Sequence, residues 1–130
     1  MPSHHLSTLG VPLLRSETGE PVRFRTRKHL ALLIRLAVEA GKRLSRDYLQ
    51  ELLWPEVPAH LARHSLAQAI SVLKAKVGSG QVVIQRATVA LAAGAVDVDI
   101  HQVGTESLEV RGRFLEGFDV PGAREFEQWK

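Results

Sequence analysis

Residues 59–78 read Ala59-His60-Leu61-Ala62-Arg63-His64-Ser65-Leu66-Ala67-Gln68-Ala69-Ile70-Ser71-Val72-Leu73-Lys74-Ala75-Lys76-Val77-Gly78. At 100° per residue, Leu66, Ala69, Ile70, Leu73 and Val77 fall on one arc, with Leu61 and Ala62 near its edges. The opposite arc holds His64, Gln68, Ser71 and Ala75, flanked by Ala67, Val72 and Lys74. This predicts an amphipathic helix over 59–77. A solvated helix face normally carries glutamate and lysine. This one has small residues, an amide, a hydroxyl and an imidazole, with Arg63, Lys74 and Lys76 around them and no acid. Small side chains admit another surface, and amides and cations suit base edges and phosphates. The expectation is a helix for the DNA major groove. The plainer alternative is a core helix whose outer face happens to lack acids.

Working outward, the preceding segment supplies two more helices. Thr26 is placed to cap a helix from about Arg27 to Ala40, with Gly41 beyond its end. Leu30, Leu33, Ile34, Leu36, Ala37 and Val38 cover most of its circumference, so it belongs in the core. Arg35 and Glu39, four apart, read as a surface pair. Lys42-Arg43-Leu44 suits a short strand. Ser45 then caps a second helix, Arg46 to Leu53, with Asp47 in its first turn and Tyr48, Leu49, Leu52 and Leu53 on its apolar face. Trp54-Pro55-Glu56-Val57-Pro58 is a stiff connection. Two helices joined this way have helix-turn-helix organisation.

On the far side, Gly78-Ser79-Gly80 reads as a flexible connection. Val82–Ile84 and Val89–Leu91 read as a hairpin, 82–91, around Gln85-Arg86-Ala87-Thr88, with no glycine at the tip. A hairpin placed here is a wing, and Arg86 at its tip suits phosphate or the minor groove. At the start of the chain, Leu6–Leu9, Val11–Leu14 and Val22–Phe24 suggest a small antiparallel sheet, with Pro12 arguing for an edge or bulged second strand. Val96–Ile100 alternates like a strand. The expected fold class is α+β: a winged helix-turn-helix with a small N-terminal antiparallel sheet, a three-helix core and a C-terminal hairpin wing. The expected domains are 1–100, and 101–130 as linker and start of a helical domain. Glu125–Trp129 has begun to look helical where the sequence stops, which suggests a fragment of a longer protein.

Composition narrows the function classes. The 130 residues contain no cysteine, which excludes disulfides, thiolate metal sites and a cysteine nucleophile. Formal net charge is +3. Residues 1–95 hold thirteen basic against six acidic groups, and 96–130 hold four against eight. A basic body with an acidic tail suits a polyanion partner for the body. No apolar run reaches membrane-spanning length, and the N-terminus lacks a secretory signal, so a soluble cytoplasmic protein without a membrane partner is expected. His60 and His64 are four apart. They lack a third ligand and the H-E-x-x-H pattern, because 61–63 are Leu-Ala-Arg. No metal or cofactor is expected. The serines have no G-x-S-x-G setting and no glycine-rich phosphate loop follows a strand, so no enzyme is expected.

The ordered set of segments resembles a known family. Pro21–Leu33, Arg43–Pro55, Ala62–Leu66 and the run Ser71-Val72-Leu73-Lys74 are similar to the OmpR/PhoB-type winged-helix domain of the SARP transcriptional activators. Arg111–Phe118 resembles the entry to the bacterial transcriptional activation domain (BTAD) that follows it in them. The resemblance implies a third helix in the major groove, a wing on the minor groove or backbone, and RNA polymerase contact by the loop Trp54–His60, with Trp54, Glu56 and His60 as its named residues. It also implies tandem or dimeric binding on DNA repeats. Val72 and Ala75 stand where relatives often carry arginine, and the wing lacks their glycine-aromatic tip.

The expected partner is double-stranded DNA. His64, Gln68 and Ser71 are the candidate base readers. Arg63, Lys74, Lys76 and Arg86 are candidate phosphate contacts, and Thr26, Arg27 and Lys28 are candidates at a helix N-terminus. The alternative is a winged helix that makes protein contacts only, which an exposed Trp54 region would favour.

Overall fold

Threonine and serine open the first two helices as their short oxygen-bearing side chains dictate. The computed structural model describes residues 4–8, 12–98 and 118–129. Thr26 Oγ1 accepts from the His29 N–H at 3.3 Å and starts α1, Arg27–Val38. Ser45 Oγ accepts from the Tyr48 N–H at 3.0 Å and starts α2, Arg46–Leu53. α3, Ala59–Val77, has no side-chain cap; the Pro58 carbonyl accepts from the N–H groups of Leu61 and Ala62. It ends at Gly78, whose φ of +105° is a conformation glycine adopts at little cost. The next residues, Ser79–Gln81, form a 3-10 turn rather than a flexible connection.

The apolar arcs meet as their spacing requires. Leu66, Ala69, Ile70, Leu73 and Val77 are all buried in a core shared with α1 and α2. From α1, Ala31 through Ala37 are buried without a break. Burying these side chains is the main stabilising contribution, about 1.5–3 kcal/mol for each large one.

Two sheets flank the helices, and the class is α+β. The first contains β1 (His4–Ser7), β2 (Leu13–Ser16), β3 (Pro21–Val22) and β7 (Val96–Val98), in the order β3-β2-β1-β7. β1–β2 and β2–β3 pair antiparallel, as expected. β7 pairs parallel to β1, with His4 opposite Val96, so the sheet is mixed and not purely antiparallel. β2 is a central strand, and Pro12 lies just before it, where it removes no ladder hydrogen bond. Leu9, Gly10 and Val11 lie outside the described residues.

The second sheet joins β4 (Leu44–Ser45), β5 (Val82–Gln85) and β6 (Thr88–Leu91) in the order β4-β6-β5. Gln85 pairs with Thr88, leaving Arg86-Ala87 as the loop. With no glycine at the tip, Arg86 itself takes the left-handed conformation, φ +51°. Such a φ is uncommon for a residue with a Cβ.

The last described segment shares the same core. Phe118, Val120, Ala123 and Phe126 are buried there, and α4 (Arg124–Trp129) packs on α2. Phe118 and Phe126 meet edge to face at 6.2 Å. Residues 99–117, with most of the expected linker and of the Arg111–Phe118 match, lie outside the described residues. Beside α4, Arg35 is not the surface group its i,i+4 spacing to Glu39 suggests. It is 6% exposed, between Tyr48, whose Oη accepts from its Nε–H at 3.1 Å, and the Trp129 ring, 5.0 Å from its guanidinium carbon. Glu39 sits 3.3 Å from Arg35 and 3.0 Å from Lys42. The Lys42 ammonium, then the Arg35 charge, hold its carboxyl below the usual range against the opposing effect of desolvation. Sequence spacing on one helix could not show that two aromatic rings from other elements enclose Arg35.

Candidate nucleic-acid interface

The helical period that buries Leu66, Ile70 and Leu73 turns His64, Gln68 and Ser71 outward. All three are exposed, as are Arg63, Ala67, Ala75 and Lys76. Lys74 and Val72 are half-buried at the border of the face. No acid interrupts it, because α3 contains none. Gln68 offers both an acceptor and two donors, enough for bidentate pairing with an adenine edge. Ser71 lies three residues on, one turn away on the same side.

Strand pairing brings a second group of cations to the hairpin tip. Leu44 pairs with Val89 and Ser45 with Thr88, and the Arg46 N–H donates to the Ala87 carbonyl at 2.7 Å. The exposed Arg86 therefore stands beside the start of α2, where Arg43 is exposed and Arg46 half-exposed. The free N–H groups of that helix start are largely taken, by Ala87 and by Ser45. What remains for an anion is side-chain charge. Asp47 lines a groove with Trp54 and Ala62. Arg43 and Arg46 are absent from the sequence-derived candidates. Their signal is long-range: only the pairing of β4 with β6 places them beside Arg86.

The start of α1 is more occupied than its sequence suggests. An Nη of Arg27 donates to the Asp119 carbonyl at 3.1 Å. Lys28 Nζ lies 5.7 Å from the centre of the Trp54 ring, and burial lowers its pKa, with Glu56 partly opposing. Thr26 is exposed, but its hydroxyl already serves the helix cap. These three residues are adjacent in sequence, yet two of them face the 54–56 loop and the 119–122 segment.

Trp54 corrects the expectation of an exposed tryptophan. It is 8% exposed and part of the core. In the loop between α2 and α3, the exposed residues are Glu56, Pro58 and, at the start of α3, Ala59 and His60. His60 and His64 are both exposed. Among the described residues no group of three or more His, Asp or Glu could hold a metal ion, and no helix is long and apolar enough to cross a membrane.

No family model matches the sequence, and no curated protein matches it significantly. Among solved structures, the fold is similar to that of Mycobacterium tuberculosis EmbR in complex with a low-affinity phosphopeptide. The TM-score is 0.59 at 22% identity, over 71% of this chain and 26% of that one. At that identity the likeness is one of fold, and the chain spans about a quarter of EmbR's length.

Proposed function

We propose that this chain is a winged-helix DNA-binding unit of a SARP-type transcription regulator. α3 enters the major groove, and the β5–β6 hairpin acts as the wing against backbone or minor groove. The observation that carries the reading is the acid-free, exposed face of α3 beside the arginine-tipped hairpin. Gln68 reads a base edge, Ser71 and His64 contact base or phosphate, and Arg63, Lys74 and Lys76 anchor the helix to the backbone. Arg86, with Arg43 and Arg46 beside it, clamps phosphate at the wing. Thr26, Arg27 and Lys28 make a smaller contribution, because Arg27 and Lys28 are already engaged within the chain.

Two finer roles accompany this reading. Glu56 and His60 are the accessible groups for an RNA polymerase contact, with Trp54 stiffening the loop from below. Residues 101–130 lead into a BTAD-type helical domain, with α4 docked on the DNA-binding unit. Selecting bound duplexes from a random pool tests the function. An enriched motif, as a repeat if binding is tandem, is the expected result. A pool that stays random would leave only non-specific binding or protein contacts.

A further inference from the structure

We propose that the cleft between β2–β3 and the start of α1 binds a small amphiphilic anion, a phosphate or carboxylate carried on an apolar body. The cleft has a volume of about 390 Å³, and the half-buried Leu13, Val22, Phe24 and Leu30 are among the residues lining it. Arg23, Arg25 and Arg27 line it as well, and none of the described lining residues is acidic. The sequence explains the division. From Val22 to Arg25 the side chains alternate, so that Val22 and Phe24 pack on the core while Arg23 and Arg25 are exposed. Among the described residues neither Arg23 nor Arg25 makes an ion pair.

Each half of the ligand answers one half of the cleft. Guanidinium groups present paired N–H donors that match phosphate and carboxylate oxygens. In water that attraction alone is weak, because exposed charges are screened. An apolar body on the walls adds what the charge lacks, since each buried methylene strengthens binding roughly fourfold. A cavity of this size, lined by apolar and cationic side chains, falls within the size range of small-molecule sites. A duplex backbone would use the arginines and leave the apolar walls uncovered. The inference does not depend on the DNA-binding reading.

The test is an NMR titration of the isotope-labelled chain with octyl phosphate, inorganic phosphate and 1-octanol in parallel. Octyl phosphate is expected to shift the Leu14, Val22 and Thr26 amides saturably, with phosphate and octanol each at least tenfold weaker. An Arg23→Gln/Arg25→Gln double variant should weaken octyl phosphate at least tenfold, with its melting temperature unchanged. Inorganic phosphate binding as tightly would overturn the proposal and leave a general polyanion surface. Octanol binding as tightly, undiminished binding by the double variant, or no saturable shift with octyl phosphate would overturn it equally.

Discussion

Along the outward face of α3 the side chains are short and mostly neutral, set at helical spacing: His64, Ala67, Gln68, Ser71, Ala75. At the tip of the β5–β6 hairpin they are long and cationic, gathered by strand pairing: Arg86 with Arg43 and Arg46. The first arrangement suits discrimination. A neutral amide gains little from a phosphate and much from the correct base edge, and small neighbours let the helix approach. The second suits adhesion, since guanidinium groups bind any phosphate and carry no sequence information. On the proposed function, α3 chooses the site and the hairpin tip supplies much of the hold. DNA specificity and DNA affinity would then respond to different substitutions.

The largest expected effect removes the platform beneath both regions. Leu73 is fully buried among α1, α2 and α3, and Leu73→Ala should cost about 2–5 kcal/mol in urea unfolding. A loss below about 1 kcal/mol would mean that α3 is not seated as described. Next, Gln68→Ala should cost roughly 1–3 kcal/mol on a selected site and far less on random duplex. Equal losses on both would remove Gln68 from base reading and collapse the division of labour. Arg86→Gly should weaken specific and random binding alike and reduce the salt slope by about 1. The same substitution relieves the positive φ of Arg86, so stability should hold or rise by up to about 1 kcal/mol. Lost affinity confined to the selected site would make the wing a sequence reader.

Much of the scaffold is legible in the sequence because its signals are local. The helical period buries Leu66 through Val77 on the correct side, Thr26 and Ser45 cap where short hydroxyl side chains should, and Gln85–Thr88 turns the hairpin. What escapes the sequence depends on distant partners. Nothing within Val96–Val98 indicates a parallel neighbour at His4–Leu6. Arg35 looks solvated until Tyr48 and Trp129 close on it, and Trp54 looks exposed until the core reaches it. The candidate site divides in the same way. The α3 face follows from period alone, whereas Arg43 and Arg46 join Arg86 only through a pairing between residues 44–45 and 88–89.

The smallest expected effect concerns pH and leaves both the α3 face and the hairpin tip untouched. His29 is partly buried in α1, its Nδ1 makes no hydrogen bond, and desolvation lowers its pKa from 6.5. The unfolded chain therefore binds this proton more readily than the folded one. Stability should be complete above pH 6.5 and fall modestly as pH drops through 6.5 toward the lowered folded value. His29→Gln should flatten that part of the melting-temperature profile. An unchanged profile would assign the dependence to another group.

The central claim is that this chain binds DNA through a charge-dependent surface. Fluorescence anisotropy of a random duplex, titrated with the chain at several salt concentrations, tests it most directly. The expected result is binding in the range of about 10⁻⁴–10⁻⁶ M at physiological salt, tighter at low salt, with log K falling linearly with log salt. Lys74→Ala should make that line shallower. No binding at tens of micromolar in low salt, on the order where even non-specific DNA binders show affinity, would contradict the claim and favour a module for protein contacts.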